Sequence, residues 1–166
     1  MRHSKGGTFD HPAKSIESKG LFDTIAMDIL QIHESDEDNQ SNKVLVMTDY
    51  FSKLVKIYPI KDKSANEVAK KLWLWISVYG APKRLISDQG REFVNKTVSD
   101  LSELTGIERR VTSPYNPRTD GQVEIKNGEI LNHLRKLVED HKESCINFIP
   151  AVEMTINMYK ESTVTK

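Results

Sequence analysis

The chain has 166 residues, and 24 Lys and Arg balance 24 Asp and Glu. That length argues for one domain with a real core and zero formal charge argues against a strongly basic, free-standing nucleic-acid binder, so contacts of that kind need a local patch or other segments. The lone Cys145 and five scattered His exclude an internal disulfide framework and a Cys/His zinc module, and there is no apolar run long enough for a membrane span or a signal peptide.

Residues 1–20 are polar and read as a leader or linker. Leu21 to Leu30 reads as a strand with Phe22, Thr24, Ala26, Asp28 and Leu30 on one face and Ile25, Met27 and Ile29 on the other. The acidic stretch Glu34 to Asn42 reads as a solvated hairpin loop. Val44 to Thr48 is a continuous apolar run, as a central strand shows, and Leu54 to Ile60 is a third strand with Pro59 near its end. Asp49 opens the turn between these two, so turn chemistry is its expected role.

The period then changes. Ser64 and Glu67 form an S-x-x-E capping signature, and Ala65, Val68, Ala69, Leu72, Trp75, Ile76 and Tyr79 recur at helical spacing up to Gly80 and Pro82. Trp73 and Trp75, two apart, cannot both face the core, so one is expected outside. Arg84 to Ser87 is a short strand. Phe93 to Leu104 is a helix with Val94, Val98, Leu101 and Leu104 on its inner side, and Ile107 to Val111 is another strand. SPYNPRTDG is a loop by its prolines, Asn116 and Gly121. A long amphipathic helix follows over 121–139. Ser144 to Tyr159 is a last helix that Pro150 kinks or splits. Three meandering strands followed by β–α alternation predict an α/β fold, one mixed sheet with helices on both faces, over residues 21–160, with 161–166 as a tail.

Three acids stand where surface charge is not expected. Asp28 lies within an apolar strand. Asp88 follows the strand ending at Ser87, at the carboxyl end where α/β proteins place their chemistry. Glu124 opens the long helix, and Leu131, seven residues on, puts it on the sheet side. Each alone has an ordinary explanation: a backbone-bonded acid, a loop cap, a residue favoured by the helix dipole. Together they would repel one another without a cation. Their hard oxygens select Mg²⁺ or Mn²⁺, and two such ions can clamp the attacking and leaving oxygens of a phosphodiester displacement.

Asp88 and Glu124 are separated by 35 residues, and the words MTDYFSKLVKIYPI, YGAPKRLISDQGREF, LTGI and SPYNPRTDGQVEIKN surround them. In order and spacing these resemble the integrase core of gypsy-type long-terminal-repeat retrotransposons and retroviruses, from about Phe22 to Tyr159. The resemblance implies a ribonuclease-H-like fold with a five-stranded mixed sheet. It implies Asp28, Asp88 and Glu124 as metal-binding catalytic acids of a DDE-type polynucleotidyl transferase with endonuclease activity. That enzyme trims the 3′ ends of element DNA and transfers them into target DNA. It implies Mg²⁺ or Mn²⁺, DNA as partner, a homodimer or higher multimer, no membrane, and a nuclear location. The chain then reads as a catalytic core without its flanking zinc-binding and C-terminal domains, cut from a longer product or a host gene derived from one.

Asn116 stands where relatives usually carry His, and Ile125 where they carry Arg or Ser; neither is a metal ligand. Asn116, Arg118, Gln122, Lys126 and Asn127 are the candidate DNA contacts, with Arg91 near the triad as a further cation. His133, His141 and Cys145 have no spacing that suggests chemistry. Two other functions compete: an integrase-like domain kept as a DNA- or protein-binding module without catalysis, whose usual sign is loss of one acid, and a nuclease of the same fold, against which the SDQG and NPRTDGQ words count.

Overall fold

The computed structural model describes residues 18–32, 43–112 and 145–158, with Gly128, Ile130, Asn132, His133 and Lys136 of an intervening helical stretch. In chain order the elements are β1 (Thr24–Gln31), β2 (Lys43–Asp49), β3 (Val55–Ile60), α1 (Ala65–Tyr79), β4 (Arg84–Ser87), α2 (Lys96–Thr105), β5 (Glu108–Val111), a 3₁₀ turn (Cys145–Phe148) and α3 (Ile149–Met158). The strands form one mixed sheet in the order β3-β2-β1-β4-β5. β1, β2 and β3 pair antiparallel, while β1–β4 and β4–β5 are parallel. This is the ribonuclease-H-like α/β architecture expected from the sequence.

Strand alternation decides which side chains meet which helices. Ile25 and Met27 of β1, with Leu45, Met47 and Leu85, pack against Val68, Leu72 and Trp75 of α1 and Val98 of α2. On the other face Leu30, Val44, Val46, Val55 and Ile57 meet Ile130 and, from α3, Ile149, Val152 and Ile156. Helices therefore cover both faces. None in the described residues is long and apolar enough to cross a membrane.

Ser64 caps α1, its side chain accepting from the Glu67 N–H at 3.2 Å, and Gly80 (φ 85°) closes it by donating to the Ile76 carbonyl. Trp75 is fully buried and Trp73 is half exposed, so one of the pair does lie outside.

Two local expectations are corrected, on β1 and α2, and one left open, on Pro150, is decided. β1 begins at Thr24, not Leu21, because Phe22 takes a positive φ of 56°. Its ring sits 5.8 Å from Trp75 and 4.9 Å from Tyr79, on the α1 side and not on the face of Asp28. Helix α2 begins at Lys96, capped by Asn95, and so turns Val98 and Ser102 inward; Val94 and Leu104 are exposed, and Phe93 is buried ahead of the helix. Pro150 splits the last helical stretch: it is the second residue of α3, after the 3₁₀ turn, where a missing N–H costs little.

β3 is an edge strand whose outward N–H groups are all accounted for. The Asn157 amide exchanges two bonds with Val55, accepting from its N–H and donating to its carbonyl, each at 2.8 Å. The Ile57 N–H donates to Glu153 Oε2 at 2.9 Å, and Glu153 Oε1 pairs with Lys56 at 2.6 Å. The next outward position is Pro59, which has no N–H to offer. Asn157→Ala is expected to cost about 1 kcal/mol by unpairing both Val55 groups, read as a lower urea midpoint at unchanged slope. Glu153→Gln, which can still accept from Ile57, should cost less.

Candidate active site

The site starts from a clamp at the entrance to β1 and β4. The buried Asp23 carboxylate pairs with Lys83 at 2.8 Å and Arg84 at 3.1 Å, and the Arg84 N–H donates to the Asp23 carbonyl at 2.9 Å. The Lys83 and then the Arg84 hydrogen bond hold the Asp23 carboxyl down, from 3.8 to about 2. This clamp fixes the parallel register Thr24↔Arg84, Ile25↔Leu85, Ala26↔Ile86. Asp28 and Asp88 each stand two residues past the last of these pairs, Asp28 within β1 and Asp88 just beyond β4. Asp28 is half-buried and its Oδ1 accepts from the Ile29 N–H at 2.8 Å. Asp88 is exposed, the first residue beyond β4.

The turn after Asp88 is tied at every step. Asp88 Oδ1 accepts from the Gly90 N–H at 2.8 Å. The Gly90 carbonyl accepts from the Phe93 and Val94 N–H groups at 3.0 and 2.9 Å. Asn95 Nδ2 donates to the Arg91 and Glu92 carbonyls while its Oδ1 accepts from the Val98 N–H. Phe93 plugs the core, and its carbonyl accepts from the Arg109 guanidinium of β5, which burial pushes below the usual arginine range. A Cβ at Gly90 would lie 2.7 Å from the Glu92 carboxyl carbon and 2.9 Å from Asp88 Oδ1, so these side-chain ends would have to shift to admit it.

Asp28 and Asp88 are thus both described, each following the paired stretch of its strand. Glu124 and the candidate DNA contacts Asn116, Arg118, Gln122, Lys126 and Asn127 lie outside the described residues. Ile130, six positions after Glu124, is helical and wholly buried against the face that carries Asp28. Among the described residues no group of three or more His, Cys, Asp or Glu is placed to hold a metal. The donor chemistry of Asp28 and Asp88, hard carboxylate oxygens, fits Mg²⁺ or Mn²⁺ and not Zn²⁺. His133 is exposed.

Asp49 has the expected turn role and a longer reach. Fully buried, it accepts from the Ser52 N–H and hydroxyl at 2.9 and 2.6 Å and, through its other oxygen, from the Phe22 N–H at 3.2 Å. Sequence reasoning missed Asn95, Glu92 and Arg109. An Asn three residues before Val98 was a legible cap signal. Nothing in the sequence marks the Arg109 bond to a carbonyl in another element.

Two outcomes are expected. Gly90→Ala should displace the Glu92 and Asp88 carboxylates at little cost in stability, with the Asp88 turn shifted in chemical-shift maps while β2 and β3 stay unchanged. Asp23 stabilises the fold fully above its ordinary value, and that contribution fades as pH falls towards about 2. The gap in melting temperature between wild type and Asp23→Asn should therefore shrink as pH falls through that window.

The integrase core domain family model matches residues 22–117. The chain is 34% identical over 114 residues to the Pro-Pol polyprotein of Simian foamy virus type 1, covering 69% of this chain and 10% of that protein. It is 32% identical over 114 residues to the Gypsy retrotransposon integrase-like protein 1 of Bos taurus, covering 69% of this chain and 23% of that protein. The chain spans a quarter or less of these relatives' length. Among solved structures, a simian T-cell lymphotropic virus intasome superposes with TM-score 0.76 at 22% identity, over 92% of this chain and 54% of that one. The HTLV-2 integrase catalytic core domain in complex with magnesium, in its trimeric form, gives 0.67 at 21% identity, over 85% and 88%. The family match and the shared fold lead to one conclusion: the chain belongs to the integrase core domain family.

Proposed function

We propose that this chain is the catalytic core of a metal-dependent polynucleotidyl transferase that trims the 3′ ends of retroelement DNA and joins them to target DNA. The observation that supports this reading is the parallel β1–β4 register with Ala26 opposite Ile86, since Asp28 and Asp88 each follow two residues later. Glu124 enters as the third acid through its 35-residue separation from Asp88 and the words around it.

In this reading Asp28, Asp88 and Glu124 hold Mg²⁺ or Mn²⁺. The ion, when bound, supplies charge neutralisation and Lewis acidity at the phosphodiester. The chain's own contribution is placement. The Gly90 N–H orients the Asp88 carboxylate by its bond to Oδ1. The Ile29 N–H fixes Asp28 in the same way. Phe93, Asn95 and Arg109 keep the Asp88 turn from shifting as a substrate phosphate arrives. Asn116, Arg118, Gln122, Lys126 and Asn127 contact DNA in this reading, and exposed Arg91 is a further cation for it.

The protein works as a homodimer or higher multimer in the nucleus, with flanking domains to complete its hold on DNA. Trp73, Leu74 and Val78, exposed on the outer side of α1, support an interface there. The HTLV-2 core has been solved in dimeric as well as trimeric form.

The test is reversal of strand joining on a labelled branched DNA with Mn²⁺. Asp28→Asn, Asp88→Asn and Glu124→Gln should each abolish it while leaving the fold intact and the metal-free melting temperature unchanged or higher. Activity that survives Asp88→Asn refutes the reading. No activity from a folded protein with flanking domains restored would favour a binding module without catalysis. DNA affinity of the core alone should be weak, with a steep loss between low and moderate salt; tight binding that ignores salt would contradict it.

A further inference from the structure

Asp88 is not the only carboxylate at its turn. Glu92 folds back over Gly90, and its Oε2 and Asp88 Oδ1 lie 2.8 and 2.9 Å from the single point where a Cβ of residue 90 would stand. Two carboxylates therefore share the space above one bare Cα. Among the described residues neither has a Lys or Arg ion pair. Arg109 is drawn away to the Phe93 carbonyl, and Arg91 is exposed. Glu92 does not wander into this position: its carbonyl is held by Asn95 at 2.7 Å, and the next residue, Phe93, is anchored in the core.

We propose that Glu92 is a positioning residue whose charge strengthens the grip of the Asp88 end of the site on a divalent cation. The inference rests on the metal-site reading above and adds a fourth acid to it. A carboxylate repelled by Asp88 in the metal-free protein becomes an attractive partner once a divalent charge enters between them. The same charge repels a DNA phosphate from Asp88 until the cation is present, so metal binds before substrate.

The experiment is a Mn²⁺ titration of the whole chain, followed by the electron-paramagnetic-resonance signal of free Mn²⁺ and by thermal shift, with wild type, Glu92→Gln, Glu92→Asp and Asp88→Asn. Circular dichroism confirms folding. Glu92→Gln should weaken Mn²⁺ binding about three- to tenfold, as expected for one partly screened charge. Glu92→Asp should recover part of the loss. The gap between wild type and Glu92→Gln should narrow at high salt, which a purely structural role would not produce. In chelator, Glu92→Gln should melt no lower than wild type. If Asp88→Asn weakens Mn²⁺ binding while Glu92→Gln matches wild type, the role of Glu92 is overturned and the metal site stands. If neither variant changes binding, the metal-site reading falls and this inference with it.

Discussion

Everything in the site depends on one pairing. β1 and β4 lie parallel with Ala26 opposite Ile86, and the two acids follow two residues later on each strand. Side chains alternate across a sheet, so a slip of one residue would send Asp88 to the opposite face from Asp28. The pairing itself is short, three residue pairs, and gains its definition from its start, where Asp23 holds both Lys83 and Arg84. A second tie enters from the side. Asp49 grips Phe22, and Phe22 stacks on Trp75 and Tyr79, so the chain is oriented before β1 begins.

Wherever a period or a breaker wrote the structure, the sequence was legible. Apolar alternation gave the strands and the faces of β1. Ser64 and Gly80 marked α1, and the change from meander to β–α alternation gave the mixed sheet. Asp28 and Asp88 were visible for a simple reason: each is an acid in a place that apolar pattern or strand polarity makes conspicuous. What escaped notice is held by contacts between distant parts of the chain. Phe22 fits the alternation of β1 but is drawn out of it by a carboxylate 27 residues away. Val94 and Leu104 look like core residues until Asn95 sets the phase of α2. Arg109 and Asn157 read as ordinary polar positions, and only the fold shows that each completes the backbone bonding of another element.

The even balance of charge across the chain conceals an uneven local arrangement. Among the described residues several cations are committed to acids: Lys83 and Arg84 to Asp23, Lys56 to Glu153, Lys96 to Asp100, Arg110 to Glu108. The Asp88 turn shows no such match among the described residues. Two carboxylates over one glycine, with no ion pair among the described residues, give this turn a local excess of negative potential. Such a place is hospitable to a small, highly charged cation and hostile to a bare phosphate.

The rim of the sheet at β3 has a consequence for crowding. Every strand at a border offers a template on which a foreign backbone can crystallise into cross-β order. Here an amide, a carboxylate and an imino acid stopper that template at successive steps. Copies of this protein brought together at high local concentration can gather through their helices and loops without β3 seeding a fibril.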